Sequence, residues 1–144
     1  MAANIAVGLD GSDSSWEAFR QSLEMAKYQA ATLHLVSVQE EQEPSYSASE
    51  LIKAEHDRRE NLLKIQTEAK VLAKAEKIEV HAVILHGKPI EKIVGYVKEN
   101  NIQLLVMGYK GHSSLIDAML GNQVEKLIRY APCTVMVVRG KTEA

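Results

Sequence analysis

Five short apolar runs, separated by longer amphipathic segments, constrain the fold of this chain more than any other feature of its sequence. The first run, over residues 5–9, is nearly all apolar and does not alternate with polar residues, which is typical of a strand covered on both faces of a parallel sheet. The other runs cover residues 32–38, 79–85, 102–107 and 134–138. Strands that alternate with helices predict an α/β fold, with a single open parallel five-stranded sheet and helices on both faces.

The segments between the runs have apolar residues at helical spacing. They predict four helices, over residues 13–30, 48–77, from Pro89 to about Asn100, and from Asn122 to Tyr130. Two pairs, Ser14 with Glu17 and Ser47 with Glu50, have the spacing of capping boxes. The first half of the second helix is almost wholly charged, which indicates a solvated face. Its second half is expected to bury Leu62, Ile65, Ala69 and Leu72, and the last helix Val124, Leu127, Ile128 and Ala131.

Length and charge limit the classes of function. The chain has 144 residues, which fits one domain over residues 1–144, and its net charge of -2 argues against general affinity for nucleic acid or an anionic membrane. The single Cys133 cannot form an internal disulfide. No apolar run approaches the length of a membrane span, and the N-terminus leads straight into a strand without a secretion signal. We therefore expect a cytoplasmic protein.

A glycine-rich stretch follows the fourth apolar run. Gly108 closes the strand, Gly111 and Gly121 follow in a Gly-x2-Gly-x9-Gly pattern, and a helix is expected to begin at Asn122. Glycine allows sharp turns and a close approach of backbone to a ligand, and the unpaired N–H groups at a helix start favour anions. A strand, a glycine loop and a helix start in this order predict a phosphate site. A simple turn is the alternative for any one of the glycines.

This pattern resembles the phosphate loop of nucleotide-binding universal stress proteins. The resemblance covers nearly the whole chain, because it extends to residues 7–12, 86–89 and 131–138. It implies a Rossmann-like fold of the adenine nucleotide alpha hydrolase type, with strand order 3-2-1-4-5. It also implies a homodimer in which strand 134–138 pairs with its copy. With this strand order the topological switch lies between the first and fourth strands, where open parallel sheets bind ligands.

The resemblance further implies which residues hold an adenine nucleotide. Gly8 and Ser37 would bring backbone close to the adenine, and Asp10 would bind the ribose or help to hold nucleotide-bound magnesium. The alternative for Asp10 is a turn residue or a helix cap. Gly87 lies in the same crevice or shapes a tight turn. The expected nucleotide-binding residues are Gly8, Asp10, Ser37, Gly87, Met107, Gly108, Lys110, Gly111, His112, Gly121, Asn122 and Gln123. No metal site is expected from the protein alone.

The loop departs from the family pattern at its end. Nucleotide-binding members have Ser or Thr after the last glycine, whereas this chain has Asn122-Gln123. Asn is a good helix cap and its amide can donate to phosphate, but it offers no hydroxyl to a phosphate or to magnesium. The spacing therefore indicates a nucleotide, while the choice between ATP and ADP or AMP stays open. Lys110 and His112 lie in the loop, either against phosphate or in solvent.

The chain lacks the patterns of common nucleotide enzymes. It has neither a Walker loop nor a Rossmann glycine fingerprint, and His81 and His86 would point to opposite faces of one strand, which makes a poor metal pair. We expect no catalytic residues and at most slow ATP hydrolysis or autophosphorylation. The expected function is to bind ATP or a related nucleotide as a signal in the stress response, through a nucleotide-dependent loop and a homodimer. The alternatives are a nucleotide-free dimeric scaffold and a slow ATPase.

Overall fold

The computed structural model describes residues 3–40, 47–109 and 124–139 of the chain. Five strands alternate with helices in the predicted order. The strands are β1 (Asn4–Gly8), β2 (Thr32–Gln39), β3 (Val80–His86), β4 (Leu104–Gly108) and β5 (Thr134–Val138). The helices are α1 (Asp13–Gln29), α2 (Ala48–Ala75) and α3 (Pro89–Glu99), together with residues 124–130, the described part of α4.

The five strands form one parallel sheet in the order β3-β2-β1-β4-β5. This confirms the predicted fold class and the strand order that the family resemblance implied. The register places Gly8 beside Val36, and Gly108 beside Val138. Because all strands run in the same direction, their carboxyl ends meet at one edge of the sheet. The chain order reverses between β1 and β4, so the topological switch lies at Gly8 on that edge.

Each face of the sheet carries its own apolar cluster. The cluster under α1 and α2 is built around Ile5, Val7, Phe19, Leu33, Leu35, Ala69 and Val106. The cluster under α3 and α4 is built around Ala6, Val36, Ile93, Val97, Leu105 and Leu127. Alternation along β1 and β4 therefore turns Gly8 and Met107 toward the α3–α4 face. None of the helices among the described residues is long and apolar enough to span a membrane.

The two predicted capping boxes have different outcomes. Helix α2 begins with the expected box, in which the Ser47 side chain and the Glu50 carboxylate each bond the other's backbone N–H. The Ser14–Glu17 box is wrong. Helix α1 begins at Asp13, as predicted, but its N-cap is Ser12, whose hydroxyl accepts the Ser15 N–H at 3.2 Å. Ser14 lies inside the first turn and is buried, because that turn packs against the end of β4.

Two apolar residues that were expected in the core are exposed. Leu72 is 45% exposed and Ile128 is 58% exposed. The buried residues of α2 are Leu62, Gln66, Ala69 and Ala73. Leu72 directly precedes Ala73 in the helix, so its side chain is turned away from the sheet. In α4 only Leu127 of the adjacent pair points inward. Apolar spacing therefore located the helices correctly but misplaced the edge of each buried stripe.

Candidate functional site

The carboxyl edge between β1 and β4 brings Gly8 and Met107 into direct contact. A Cβ atom added to Gly8 would lie 2.6 Å from Met107 Sδ and 2.9 Å from Met107 Cε. Glycine at position 8 therefore lets the flexible thioether cover the end of β1. The two residues form an apolar floor at the topological switch. Both were predicted site residues, and the fold places them side by side.

Asp10 shapes the turn between β1 and α1. Its Oδ1 accepts the Ser12 N–H at 2.9 Å, the bond of an Asx turn, and Gly11 follows with a left-handed φ of 91°. The Ser15 hydroxyl accepts the N–H groups of Asp10 and Gly11 at 3.3 and 3.2 Å. The turn role that was the alternative for Asp10 is thus present. A carboxylate has two oxygens and several lone pairs, so this bond is compatible with an additional contact to a ribose hydroxyl.

Gly108 is required by packing against α1. A Cβ atom at this position would lie 2.6 Å from the carbonyl carbon and the hydroxyl of Ser14, and 2.7 Å from the Ser15 nitrogen. Most of these atoms are backbone, which cannot move aside as a flexible side chain can. The approach of β4 to the first turn of α1 is therefore a sufficient reason for glycine here, independent of any bound anion.

The Ser37 side chain is committed to a buried polar network. Its hydroxyl donates to the Leu9 carbonyl at 2.6 Å and accepts from Gln66 Nε2 at 3.0 Å. Gln66 Nε2 also donates to the Val83 carbonyl at 2.9 Å. Only the backbone of Ser37 is thus left for the adenine contact that the resemblance implied. Sequence reasoning missed Gln66, although its place between Leu62 and Ala69 on one helical stripe was a usable signal.

Gly87 lies at the same edge but farther from the switch. It follows β3, donates its N–H to the Gln39 carbonyl at 3.1 Å, and has a φ of +128° that L side chains rarely adopt. Adjacent strands lie about 4.8 Å apart, so two strand spacings separate β3 from β1. The tight-turn interpretation accounts for this glycine. Six other predicted site residues lie outside the described part of the chain: Lys110, Gly111, His112, Gly121, Asn122 and Gln123.

A cation–π contact lies beside this edge of the sheet, and the sequence did not predict it. Arg139 Cζ lies 4.5 Å from the centroid of the Tyr109 ring. The Tyr109 N–H donates to the Val138 carbonyl at 2.7 Å, so the β4–β5 ladder continues one residue past Gly108. The two residues meet only because β4 and β5 are neighbours in this register. Nothing in the local sequence of either residue indicates the contact.

The described residues around the switch differ in chemical character. Within the described ranges, no three His, Cys, Asp or Glu side chains are grouped so as to hold a metal. The edge instead combines an apolar floor at Gly8 and Met107, the Asp10 carboxylate and the Arg139 guanidinium. These groups match a flat apolar base, a hydroxylated sugar and an anion.

Comparison with known proteins agrees with this fold. Residues 1–139 match the model of the universal stress protein family. The chain belongs to the universal stress protein family. This universal stress protein is 32% identical over 143 residues to one from Methanocaldococcus jannaschii, covering 94% of this chain and 81% of the relative. It is 29% identical over 142 residues to the universal stress protein YxiE of Bacillus subtilis, covering 92% and 96% of the two chains.

Solved structures of family members superpose over nearly the whole chain. Universal stress protein UspA from Lactobacillus plantarum has a TM-score of 0.85 at 23% identity, covering 95% of this chain and 97% of that one, which shows a shared fold. A universal stress protein in complex with cAMP has a TM-score of 0.74 at 26% identity, covering 96% and 98%. A family protein from Arabidopsis thaliana with AMP bound has a TM-score of 0.69 at 20% identity, covering 97% and 93%.

Proposed function

We propose that this universal stress protein binds an adenine nucleotide at the carboxyl edge of its sheet. The observation that carries the proposal is the contact of Gly8 with Met107 at the topological switch, with Asp10 directly beyond it. A ligand at this position would meet an apolar floor and a carboxylate that can accept hydrogen bonds from sugar hydroxyls. The cAMP complex of a related family member supports an adenine nucleotide as the ligand class.

The nucleotide is proposed to act as a signal in the stress response of a cytoplasmic homodimer. ATP, ADP and AMP all remain candidate ligands, because Asn122 offers no hydroxyl where nucleotide-binding relatives have Ser or Thr. Magnesium would be held mainly by the nucleotide phosphates, with Asp10 as the protein carboxylate that would assist. Multiple turnovers of ATP by the pure protein would be required to support an ATPase.

The first experiment is to identify what the protein carries and binds. Ligand released from freshly purified protein by denaturation would be identified by mass spectrometry, and ATP, ADP and AMP would be titrated with and without magnesium. We expect a co-purified adenine nucleotide or micromolar binding of at least one of the three. If no ligand is released and none of the three binds, the proposed function is wrong.

A matched pair of variants locates the site. Asp10→Asn retains Oδ1, the oxygen that accepts the Ser12 N–H, but removes the charge that strengthens a bond from a ribose hydroxyl. Loss of a hydrogen bond to a charged group weakens binding by roughly tenfold or more. Asp13→Asn makes the same change on the exposed first turn of α1. Equal affinities of the two variants for nucleotide would show that Asp10 does not contact the ligand.

The second candidate is a nucleotide-free dimeric scaffold. The packing of Gly108 against α1 favours it, because that glycine then needs no anion to explain it. Two measurements distinguish the two functions. A scaffold would form its dimer with the same affinity in the presence and absence of saturating nucleotide and would release no ligand on denaturation.

A further inference from the structure

We infer that Arg139 binds the phosphate group of the nucleotide and that Tyr109 positions its guanidinium for this contact. The inference rests on the proposed function and assigns the anion-binding end of the site. It concerns Tyr109, which directly follows β4, and Arg139, which directly follows β5. Arg139 would set the preference for a phosphorylated ligand over a bare nucleoside.

The stack on Tyr109 holds the guanidinium in place without using its hydrogen-bond donors. Arg139 Cζ lies 4.5 Å from the ring centroid, and the Tyr109 backbone is itself fixed to Val138 by a 2.7 Å hydrogen bond. A guanidinium has five N–H donors, and contact with one ring cannot occupy all of them, so donors along its edge remain for a ligand. That edge matches two oxygens of a phosphate in a bidentate pair.

The charge of Arg139 is not neutralised by the described part of the protein. The ion pairs found there join Arg20 to Glu17, Lys27 to Glu76, His81 to Glu79 and Arg129 to Glu125. Arg139 takes part in none of them, and its side chain is exposed. Among the described residues this exposed guanidinium has no carboxylate partner, so its charge is available there to an anionic ligand.

Arg139 also lies on the correct face of the sheet. The missing side chain of Gly108 faces α1, so alternation turns Tyr109 to the opposite face, which is also the face of Gly8 and Met107. Val138 is buried in the cluster under α1 and α2, so Arg139 likewise points to the Gly8 face. The apolar floor and the Arg139 guanidinium therefore face the same space at the carboxyl edge of the sheet.

The distance between the apolar floor at Gly8 and the Arg139 guanidinium suits a nucleotide. Gly8 is on β1 and Arg139 follows β5, with β4 between them. Two strand spacings of about 4.8 Å each give a lateral distance on the order of 10 Å. This is comparable to the reach of a nucleoside monophosphate from its base to its phosphate. A base over Gly8 and Met107 would thus place its phosphate near Arg139, with the ribose between them and within reach of Asp10.

The test compares AMP with adenosine, which differ only in the phosphate. Both would be titrated by calorimetry into the wild-type protein and into Arg139→Gln. We expect the variant to lose about tenfold or more in AMP affinity, since it removes charge-assisted hydrogen bonds, and to keep its adenosine affinity. Arg139→Lys retains the charge without the planar fork and should give an intermediate loss. Arg20→Gln, on the exposed side of α1, is the matched control and should leave both affinities unchanged.

The Tyr109 variants test the positioning role. Tyr109→Phe keeps the ring and should bind AMP as the wild type does. Tyr109→Leu removes the stack and should weaken AMP binding several-fold, again without an effect on adenosine. If Tyr109→Leu weakens adenosine and AMP equally, the ring contacts the base and does not position Arg139.

The outcomes separate this inference from the function on which it rests. If the wild type binds AMP and Arg139→Gln has the same ratio of AMP to adenosine affinity, Arg139 does not bind the phosphate, while nucleotide binding still holds. If the wild type binds neither adenosine nor AMP, nor ATP or ADP, the proposed function fails and this inference fails with it.

Discussion

At the scale of single residues, glycine is favoured at positions 8 and 108, near the topological switch, for different physical reasons. Gly8 leaves room for the Met107 thioether, a flexible group that can move aside. Gly108 leaves room for the backbone of Ser14 and Ser15, which cannot move without displacing the start of α1. A side chain is therefore expected to be tolerated better at position 8 than at position 108. The difference is visible only when the neighbouring atoms are known.

The first prediction concerns Gly108→Ala. The added methyl group would overlap the first turn of α1, so we expect the free energy of unfolding to fall by about 1–3 kcal/mol in urea denaturation. Gly95→Ala is the matched control, because nothing lies within 4 Å of the new Cβ in α3. Alanine in a helix interior is favoured over glycine, so this control should gain about 0.5–1 kcal/mol. A Gly108→Ala protein as stable as the wild type would refute the packing argument.

His34 is a buried histidine at the other end of the sheet. Its Nδ1 lies 2.7 Å from the Tyr96 hydroxyl and its Nε2 lies 3.1 Å from Asn4 Oδ1. The His81 ring stacks on it at 5.3 Å between centroids. Burial lowers the pKa of His34, the neighbouring His81 lowers it further, and Glu79 opposes the change. The folded protein therefore binds a proton at His34 less readily than the unfolded chain does.

The second prediction follows from the sign of that pKa shift. The unfolded histidine has a pKa of about 6.5. The contribution of His34 to stability is thus fully present above that pH and is lost as pH falls through the lower pKa of the folded state. We expect the free energy of unfolding to decline as pH falls below about 6.5, and His34→Gln to flatten this decline. His56→Gln, on the exposed face of α2, should follow the wild-type pH profile.

At the scale of elements, α2 is attached to the sheet by a buried polar contact beside apolar packing. Gln66 is 3% exposed and joins α2 to Ser37 on β2 and to the Val83 carbonyl on β3. Buried polar groups are costly to leave unpaired, so this network specifies one docking position for the helix. The side chains that bury α2 nearby are small, namely Ala69 and Ala73, which allows the close approach.

The third prediction tests this attachment. Gln66→Met preserves the length of the side chain but leaves the Val83 carbonyl without its side-chain donor, so we expect a loss of about 1–2 kcal/mol in the free energy of unfolding. Ser37→Ala should destabilise through the same network, and the double variant should lose less than the sum of the two. The exposed Thr67→Ala is the control. Strict additivity of the Gln66 and Ser37 variants would show that they act separately.

At the scale of the whole molecule, β5 is an edge strand of the five-stranded sheet. It pairs with β4 on one side only within the described part of the protein. Natural proteins rarely leave an apolar edge strand such as Thr134–Val138 unprotected. The helix that leads into β5 also exposes apolar side chains, with Ile128 58% and Tyr130 57% exposed. A second copy of the chain would cover both features.

The fourth prediction is a homodimer through this edge. Sedimentation velocity at micromolar concentration should give the mass of two chains. Ile128→Glu places a charge on the helix that leads into β5 and should shift the mass toward a monomer, because a charge in an apolar interface loses its hydration. Ile52→Glu is the matched control, since Ile52 is 70% exposed on α2 and away from this edge. A monomeric wild type would contradict the dimer directly.

The sequence alone determined the α/β class, the five strands and the approximate extent of the helices. These follow from periodicity within segments, and the Ser47–Glu50 cap of α2 likewise depends on residues that are close in the chain. The strand order came from the family resemblance and not from any pattern within a segment. Errors arose where an assignment depended on packing, as for the N-cap of α1 and the outer side of α2.

Only the tertiary structure decided which distant residues share a site. Gly108 needs to be glycine because β4 lies beside the first turn of α1, and Arg139 meets Tyr109 because β4 and β5 pair in one register. Ser37 is joined to Gln66 for the same kind of reason. Periodicity reports which face of an element is buried, but it carries no information about which other element covers that face. Contacts between segments far apart in the chain follow from strand order, register and close packing, and these are properties of the folded molecule.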